Sequence, residues 1–362
     1  MTGKKNWIPV DFIRALAITL VVVLHASSEM PLAQQIPNEN VWRWWAASIY
    51  DTLARPAVPL LVMLSGALLL NPSKTEEPLR TFFRKRVARI ALPFLFWGAC
   101  YFAWRYFVNH ETMTFDVIWR GYVEGYPYFH FRYIYMLIGL YLVTPMLRVL
   151  VAHASPRLLL YSVSLWFTGV AIFPLLGRFG SVWPGDGRLG AGGLFVDASW
   201  LAMFIGYFVL GAYLRNIRLR SSITLVMWLL SSLWTVVGTW LVSIGAGGHV
   251  DEVFRVYVSA NVILASSALF LLLYRRSTNQ LRKRLPRTHN LLCFASQNSL
   301  PIYLFHVMLL EGFQKGLFGF QLSVTTLNPI LEIPLVSLLT LTICLGVIWL
   351  LKKIPILSNA IG

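Results

Sequence analysis

Residues Asp11 to Ser28 read DFIRALAITLVVVLHASS, an apolar run that carries Arg14 and His25 eleven residues apart. At about 100° and about 1.5 Å per residue, an α-helix returns two such positions to nearly the same face. They stand about 16 Å apart, roughly half the thickness of a bilayer core. Ionisable groups at that depth are costly and mark a pathway, a proton relay or a reaction centre. A plainer reading has Arg14 snorkelling to the interface or pairing with Asp11 at i,i+3, and His25 as an ordinary interfacial residue.

Working outward from this run, the chain keeps the same character. Of its 362 residues 57% are hydrophobic and 13% charged, and the mean hydropathy is +0.64. A soluble domain of this length needs far more polar surface. Long apolar stretches predict an all-α polytopic membrane bundle of about ten transmembrane helices, forming one domain over 1–362. The predicted spans are 10–29, 48–71, 87–107, 133–150, 158–177, 198–214, 223–244, 253–273, 291–310 and 331–351. Proline or glycine interrupts several of them, which membrane helices tolerate when neighbours satisfy the freed backbone groups. The first run lacks a small-residue cleavage site after Ser28 and contains Arg14, so it reads as a retained helix rather than a signal peptide.

Basic residues then orient the bundle. With the N-terminus in the cytoplasm, Lys4, Lys5, Lys74, Arg80, Arg84, Lys85, Arg86 and Arg89 lie inside, followed by Arg148, Arg157, Arg215, Arg218 and Arg220. Arg275, Arg276, Arg282, Lys283, Arg284 and Arg287 form the largest late cluster, and Lys352 and Lys353 close the series. The alternate loops are poor: 245–252 has no Lys or Arg, and 311–330 has only Lys315. Both termini are therefore expected in the cytoplasm. Orientation and anionic-lipid contact account for most of the +16 net charge without nucleic acid.

Other chemistries find little support. Cys100, Cys293 and Cys344 fall on different helical segments, which argues against a disulfide framework. His110-Glu111 lacks the second histidine of a zinc helix, and no G-x-S-x-G nucleophile elbow occurs. Gly185, Gly187 and Gly190 match a dinucleotide fingerprint by letter, but with no strand before them they read as a loop. No two-halves repeat of the transporter kind is visible.

The polar groups that remain can be placed by depth. Arg14 lies near the cytoplasmic end of the first helix and His25 in its outer half. Arg86 and Arg89, at i,i+3, aim two guanidiniums to one side at the cytoplasmic face. Guanidinium forks suit phosphate, so with Arg14 they form a cationic mouth for a phosphate-bearing molecule from the cytosol. His306, in the ninth helix, is expected at the depth of His25. Arg55, in Arg55-Pro56-Ala57-Val58-Pro59, lies in the outer half of a proline-broken second helix.

Several of these segments together resemble a known family. Arg14-x10-His25, Arg86-x-x-Arg89, Met63-Leu64-Ser65-Gly66, the run Tyr133 to Tyr141 (YIYMLIGLY) and the run Ser299 to His306 (SLPIYLFH) are similar to those of the membrane acyltransferase 3 family. The resemblance runs from about residue 6 to about residue 351. Members acylate bacterial surface polysaccharides, lipopolysaccharide, peptidoglycan, nodulation factors and some antibiotics. It implies an acyl-CoA donor, usually acetyl-CoA, a sugar hydroxyl acceptor and the bacterial inner membrane. It also implies that His25 is required for transfer and that Arg86 and Arg89 help to hold the donor. Two departures stand out. Many members have a tryptophan where this chain reads His130-Phe131-Arg132-Tyr133, so Arg132 bears on acceptor contacts. No fused extracytoplasmic hydrolase-like domain follows the tenth helix, so transfer is expected to use membrane groups alone or a separate partner.

The chemistry expected is thioester-to-oxygen transfer. A neutral imidazole is the usual base near neutral pH, which points to His25, with a covalent acyl-imidazole as the alternative. Glu29, one turn on, is placed to orient the His25 ring, or else is a solvated interfacial carboxylate. Arg55, His130, Arg132, Tyr135 and His306 are assigned to the acceptor or the cavity. His306 is equally well read as a structural hydrogen-bonding group, and the tyrosines as belt or packing residues. No permanently bound cofactor and no metal are expected; acyl-CoA, the glycan acceptor and the bilayer are the expected partners. The alternative class is a flippase or secondary transporter for a lipid-linked sugar or anion, in which the same residues relay charge without breaking bonds.

Overall fold

The computed structural model describes residues 8–28, 35–36, 39–74, 76–123, 125–179, 193–274, 284, 286–323 and 326–362, with the side chains of 8, 179, 193–200 and 356 outside the description. Glu29, the glycines 185, 187 and 190, and most of the basic cluster from Arg275 to Lys283 lie outside the described residues. Among the described residues the structure is helical, with an isolated β-bridge between Gln35 and His249.

The helices are α1 (Ile8–Ser27), α2 (Val41–Ala54), α3 (Ala57–Leu69), α4 (Leu79–Phe107), α5 (Phe115–Val123), α6 (Arg132–His153), α7 (Pro156–Phe167) and α8 (Phe173–Phe179). They continue with α9 (Gly193–Leu214), α10 (Ser221–Gly245), α11 (Ala260–Tyr274), α12 (Pro286–Gln297), α13 (Ser299–Gln314), α14 (Pro329–Leu351) and α15 (Pro355–Ile361). Seven stretches among the described residues are long and apolar enough to cross a membrane. These are Pro9–Ser27, Val41–Leu69, Leu79–Phe107, Phe129–His153, Pro156–Arg178, Ser221–Gly245 and Pro329–Leu351; Leu201–Leu214 and Ala260–Tyr274 are apolar but shorter. The expected ninth span divides at Asn298 into α12 and α13, and the expected second span divides at Arg55-Pro56 into α2 and α3. A proline lacks the amide hydrogen a continuing helix needs, which accounts for the second break.

Leu92, Leu142, Met146, Leu230 and Leu338 on α4, α6, α10 and α14 are exposed. Such faces are unfavourable in water and natural against lipid, so the exposed leucines are the bilayer-facing surface of a membrane bundle.

The chain forms two compact units. The first comprises 1–64 and 214–345. Within it α1 is the hub, packing against α2, α11, α12 and α13, with Ile13, Ala17 and Val22 fully buried. Ser296 Oγ donates to Asp11 Oδ1 at 2.7 Å, tying the start of α1 to α12. Helices α10 and α11 form a pair held by Asn261, whose Nδ2 donates to Thr235 Oγ1 (2.7 Å) and to the Phe254 carbonyl (2.6 Å).

The second unit comprises 65–213 and 346–362. Here α4 packs against α6 and α15, and Trp97 Nε1 donates to the Ile361 carbonyl at 3.3 Å. Gly66 and Gly206 permit two close approaches: a Cβ at Gly66 would lie 1.8 Å from the Phe208 carbonyl oxygen, and one at Gly206 would lie 2.0 Å from the Trp166 ring.

Candidate functional site

In the first unit, α1 carries Arg14, half-buried, toward its start and His25, half-buried, in its last turn. The His25 ring lies 5.2 Å from the ring of His306, centroid to centroid. His306 is fully buried on α13, and its Nδ1 lies 2.7 Å from the Tyr303 carbonyl and 3.2 Å from that of Ile302. A carbonyl can only accept, so Nδ1 of His306 carries the hydrogen and Nε2 is left with its lone pair. The matching depth expected for the two histidines is what the structure has. It follows from α1 and the α12–α13 segment running alongside each other in the same direction, from the Asp11–Ser296 contact to the two imidazoles.

Beyond His25, the end of α1 meets a polar cluster. Ser28 Oγ donates to Asp51 Oδ1 at 2.8 Å. Arg55 grips Asp51 through Nε (2.8 Å) and Nη2 (3.0 Å). The bidentate fit is the strong guanidinium–carboxylate geometry, and the α2–α3 break places Arg55 one turn after Asp51. Arg255 adds a second cation, with Nη2 2.5 Å from Ser48 Oγ and Nε 3.8 Å from Asp51 Oδ2. Its guanidinium lies 5.5 Å from the Trp44 ring centroid. Together with Glu252, Ser27 and Ala47 these side chains line a cavity of about 40 Å³. Asp51, Ser48 and Arg255 were not singled out by sequence reading. Asp51 carried a usable signal, as the only acidic residue between Val41 and Asn71 and four residues before Arg55. Arg255 carried none, because its partners lie some two hundred positions earlier in the chain.

In the second unit Arg86 and Arg89 do not share one environment. Arg86 is half-buried and stacks over Phe82 (5.1 Å) and Tyr141 (5.5 Å), whereas Arg89 is exposed. Arg148, read from sequence as an inside-loop charge, instead lies within α6 and is 3% exposed. Its Nε donates to the Leu69 carbonyl at 2.7 Å, its Nη1 pairs with Glu77 at 3.1 Å, and its guanidinium lies 4.5 Å from the Phe82 ring centroid. Phe82 thus holds guanidiniums 86 and 148 in one cationic group. Burial, then Arg148 and Arg86, push the nearby Lys74 ammonium below its usual range.

The remaining assigned residues belong to this second unit. His130, in the 3₁₀ turn Phe129–Phe131, is buried among the rings of Tyr101 (4.8 Å), Phe131 (5.0 Å) and Phe129 (5.5 Å). Arg132 opens α6 and is half-buried. Tyr135, assigned to the acceptor or cavity, donates its hydroxyl to the Tyr122 carbonyl at 2.6 Å and packs edge-on against Phe94. All three cysteines are free.

A comparison with protein families matches residues 8–349 to one family model, described as an acyltransferase domain. No curated protein and no solved structure matches the chain.

Proposed function

The chain belongs to the acyltransferase 3 family and is a multi-pass membrane acyltransferase, and from that premise we propose that it moves an acetyl group from acetyl-CoA to a sugar hydroxyl. The acceptor is a cell-envelope or exported polysaccharide, or its lipid-linked precursor, and the protein works in a bacterial inner membrane.

The observation that carries this reading is the pair of imidazoles His25 and His306 at 5.2 Å, next to a polar cavity. Acyl transfer from a thioester needs a base that takes the acceptor's proton as its oxygen attacks. His25 is that base. The sugar oxygen bonds to the thioester carbonyl carbon, the hydroxyl proton passes to His25, and the carbon–sulfur bond then breaks. The departing CoA sulfur takes the proton back from His25, which restores the neutral imidazole. His306 acts as a positioning residue in this scheme, because its Nδ1 is committed to the backbone and its Nε2 presents only a lone pair.

Arg86 and Arg89 hold the phosphates of the donor, where guanidinium forks are the favoured partners. Arg14, at the end of α1 remote from His25, is assigned to the donor as well. Along α1 the two residues stand about 16 Å apart, a span a pantetheine arm can bridge.

The test is mass spectrometry of envelope glycans from cells with and without the protein. Loss of acetyl esters from one glycan supports the reading. Identical acetylation, together with no CoA release by the purified protein given acetyl-CoA and that glycan, overturns it.

A further inference from the structure

The cluster at the end of α1 holds more hydrogen-bond donors than its own acceptors satisfy. Asp51 is engaged by Ser28 at 2.8 Å and by both Arg55 nitrogens at 2.8 and 3.0 Å. The Arg255 Nε stands 3.8 Å from Asp51, too far for a hydrogen bond. Arg255 Nε and Trp44 Nε1 therefore have no hydrogen-bond partner among the described residues. Both side chains are deeply buried, at 5% and 1% exposure, and both line the cavity of about 40 Å³. Buried donors normally find an acceptor, so an oxygen belongs in that space.

Volume and charge narrow what supplies it. One water needs about 10–15 Å³ of such a cavity, so it takes about three waters or one small oxygen-bearing arm of a larger molecule, such as a hydroxymethyl group. Its walls carry Arg55 and Arg255 against Asp51 and Glu252, which is formally neutral. An anion would meet two carboxylates there. A neutral oxygen would accept from Arg255 Nε and Trp44 Nε1, and could give its own hydrogen to Ser48 Oγ or Asp51.

We propose that this cavity is a seat for the hydroxymethyl arm of a neutral sugar. Its role rests on the acyltransferase reading above, in which the anchored arm sets which hydroxyl meets the base. Ser28 follows His25 by three residues, so the seat and the base share a face of α1 and lie less than one turn apart.

The test reads binding directly, with no acyl-CoA present. The intact protein, labelled with ¹⁵N in its indoles, is placed in lipid nanodiscs, and the Trp44 signal is identified among fourteen tryptophans by Trp44→Phe. Methyl α-glucopyranoside should move that signal saturably. Methyl α-xylopyranoside, which lacks the hydroxymethyl arm, should bind about tenfold more weakly, as should the glucoside to Arg255→Gln, a loss of about 1.4 kcal/mol. Equal binding of the two sugars overturns the proposal. So does a response to sodium glucuronate or inorganic phosphate in place of the glucoside, and so does no response to any probe, which would make this a water site. A retained glucoside response alongside an inactive transfer assay would count against the acyltransferase reading and leave the seat standing.

Discussion

His25 faces a second imidazole whose tautomer the backbone has already decided. That makes its basicity, rather than its hydrogen-bonding capacity, the property to remove. His25→Ala and His25→Gln should both abolish transfer by purified protein while expression and membrane insertion stay near wild type, because glutamine keeps the hydrogen bonds and loses the base. Retention of most activity by either variant would exclude the general-base role. At the donor end, the double variant Arg86→Ala, Arg89→Ala should weaken acyl-CoA binding by about 1.5–3 kcal/mol for each charged hydrogen bond lost. Lysine at both positions should rescue only in part. Calorimetry on the double variant decides the point, and unchanged affinity would move the nucleotide elsewhere. Arg86 should contribute more than Arg89, since it is held in place over Phe82 and Tyr141 while Arg89 is exposed.

Helix contacts in the second unit depend on small residues and on one carboxylate. A Cβ at Gly66 would meet the backbone oxygen of Phe208 at 1.8 Å, and a backbone cannot step aside as a flexible side chain can. Gly66→Ala should therefore destabilise by about 1–3 kcal/mol, the usual cost of overpacking, and lower the melting temperature in detergent. Glu77 joins α4 to α6 by accepting from Lys85 at 2.8 Å and pairing with Arg148 at 3.1 Å. The hydrogen bond from Lys85 is the main cause holding its carboxyl below the ordinary value of 4.5. A lowered folded-state value means that this stabilisation is full above the unfolded value and is lost as pH falls through the folded one. Thermal melts across that acidic range should show a loss of stability that Glu77→Gln removes; an unchanged pH profile in the variant would make the contact energetically silent.

At the scale of the whole molecule, orientation in the bilayer decides which substrate reaches which end. From the Lys/Arg asymmetry we expect both termini in the cytoplasm and the loops 108–131, 178–197 and 311–330 outside. In that arrangement Arg14, Arg86 and Arg89 would face the cytosol, and His25 and His306 would lie toward the outer side. In a background lacking Cys100, Cys293 and Cys344, Gln321→Cys should be labelled by an impermeant thiol reagent from outside, and Ser73→Cys only after the membrane is opened. Labelling of Gln321→Cys from the cytoplasmic side alone would replace transfer across the membrane with a wholly cytoplasmic reaction.

The helical membrane class follows from the chain directly, because apolar run length and charge spacing are local properties that the bilayer reads one segment at a time. The break at Arg55-Pro56 and the common depth of His25 and His306 were legible for the same reason: proline chemistry and rise per residue need no partner. The company kept by Arg255 and Arg148 was not. Both look like ordinary basic residues near helix ends, and periodicity states which face a residue occupies without stating what that face meets. Arg255 reaches Ser48 and Asp51 from the connection between α10 and α11, and Arg148 closes on the carbonyl of Leu69. Burying a guanidinium is favourable only when several acceptors converge on it, and that convergence exists only once the helices have packed.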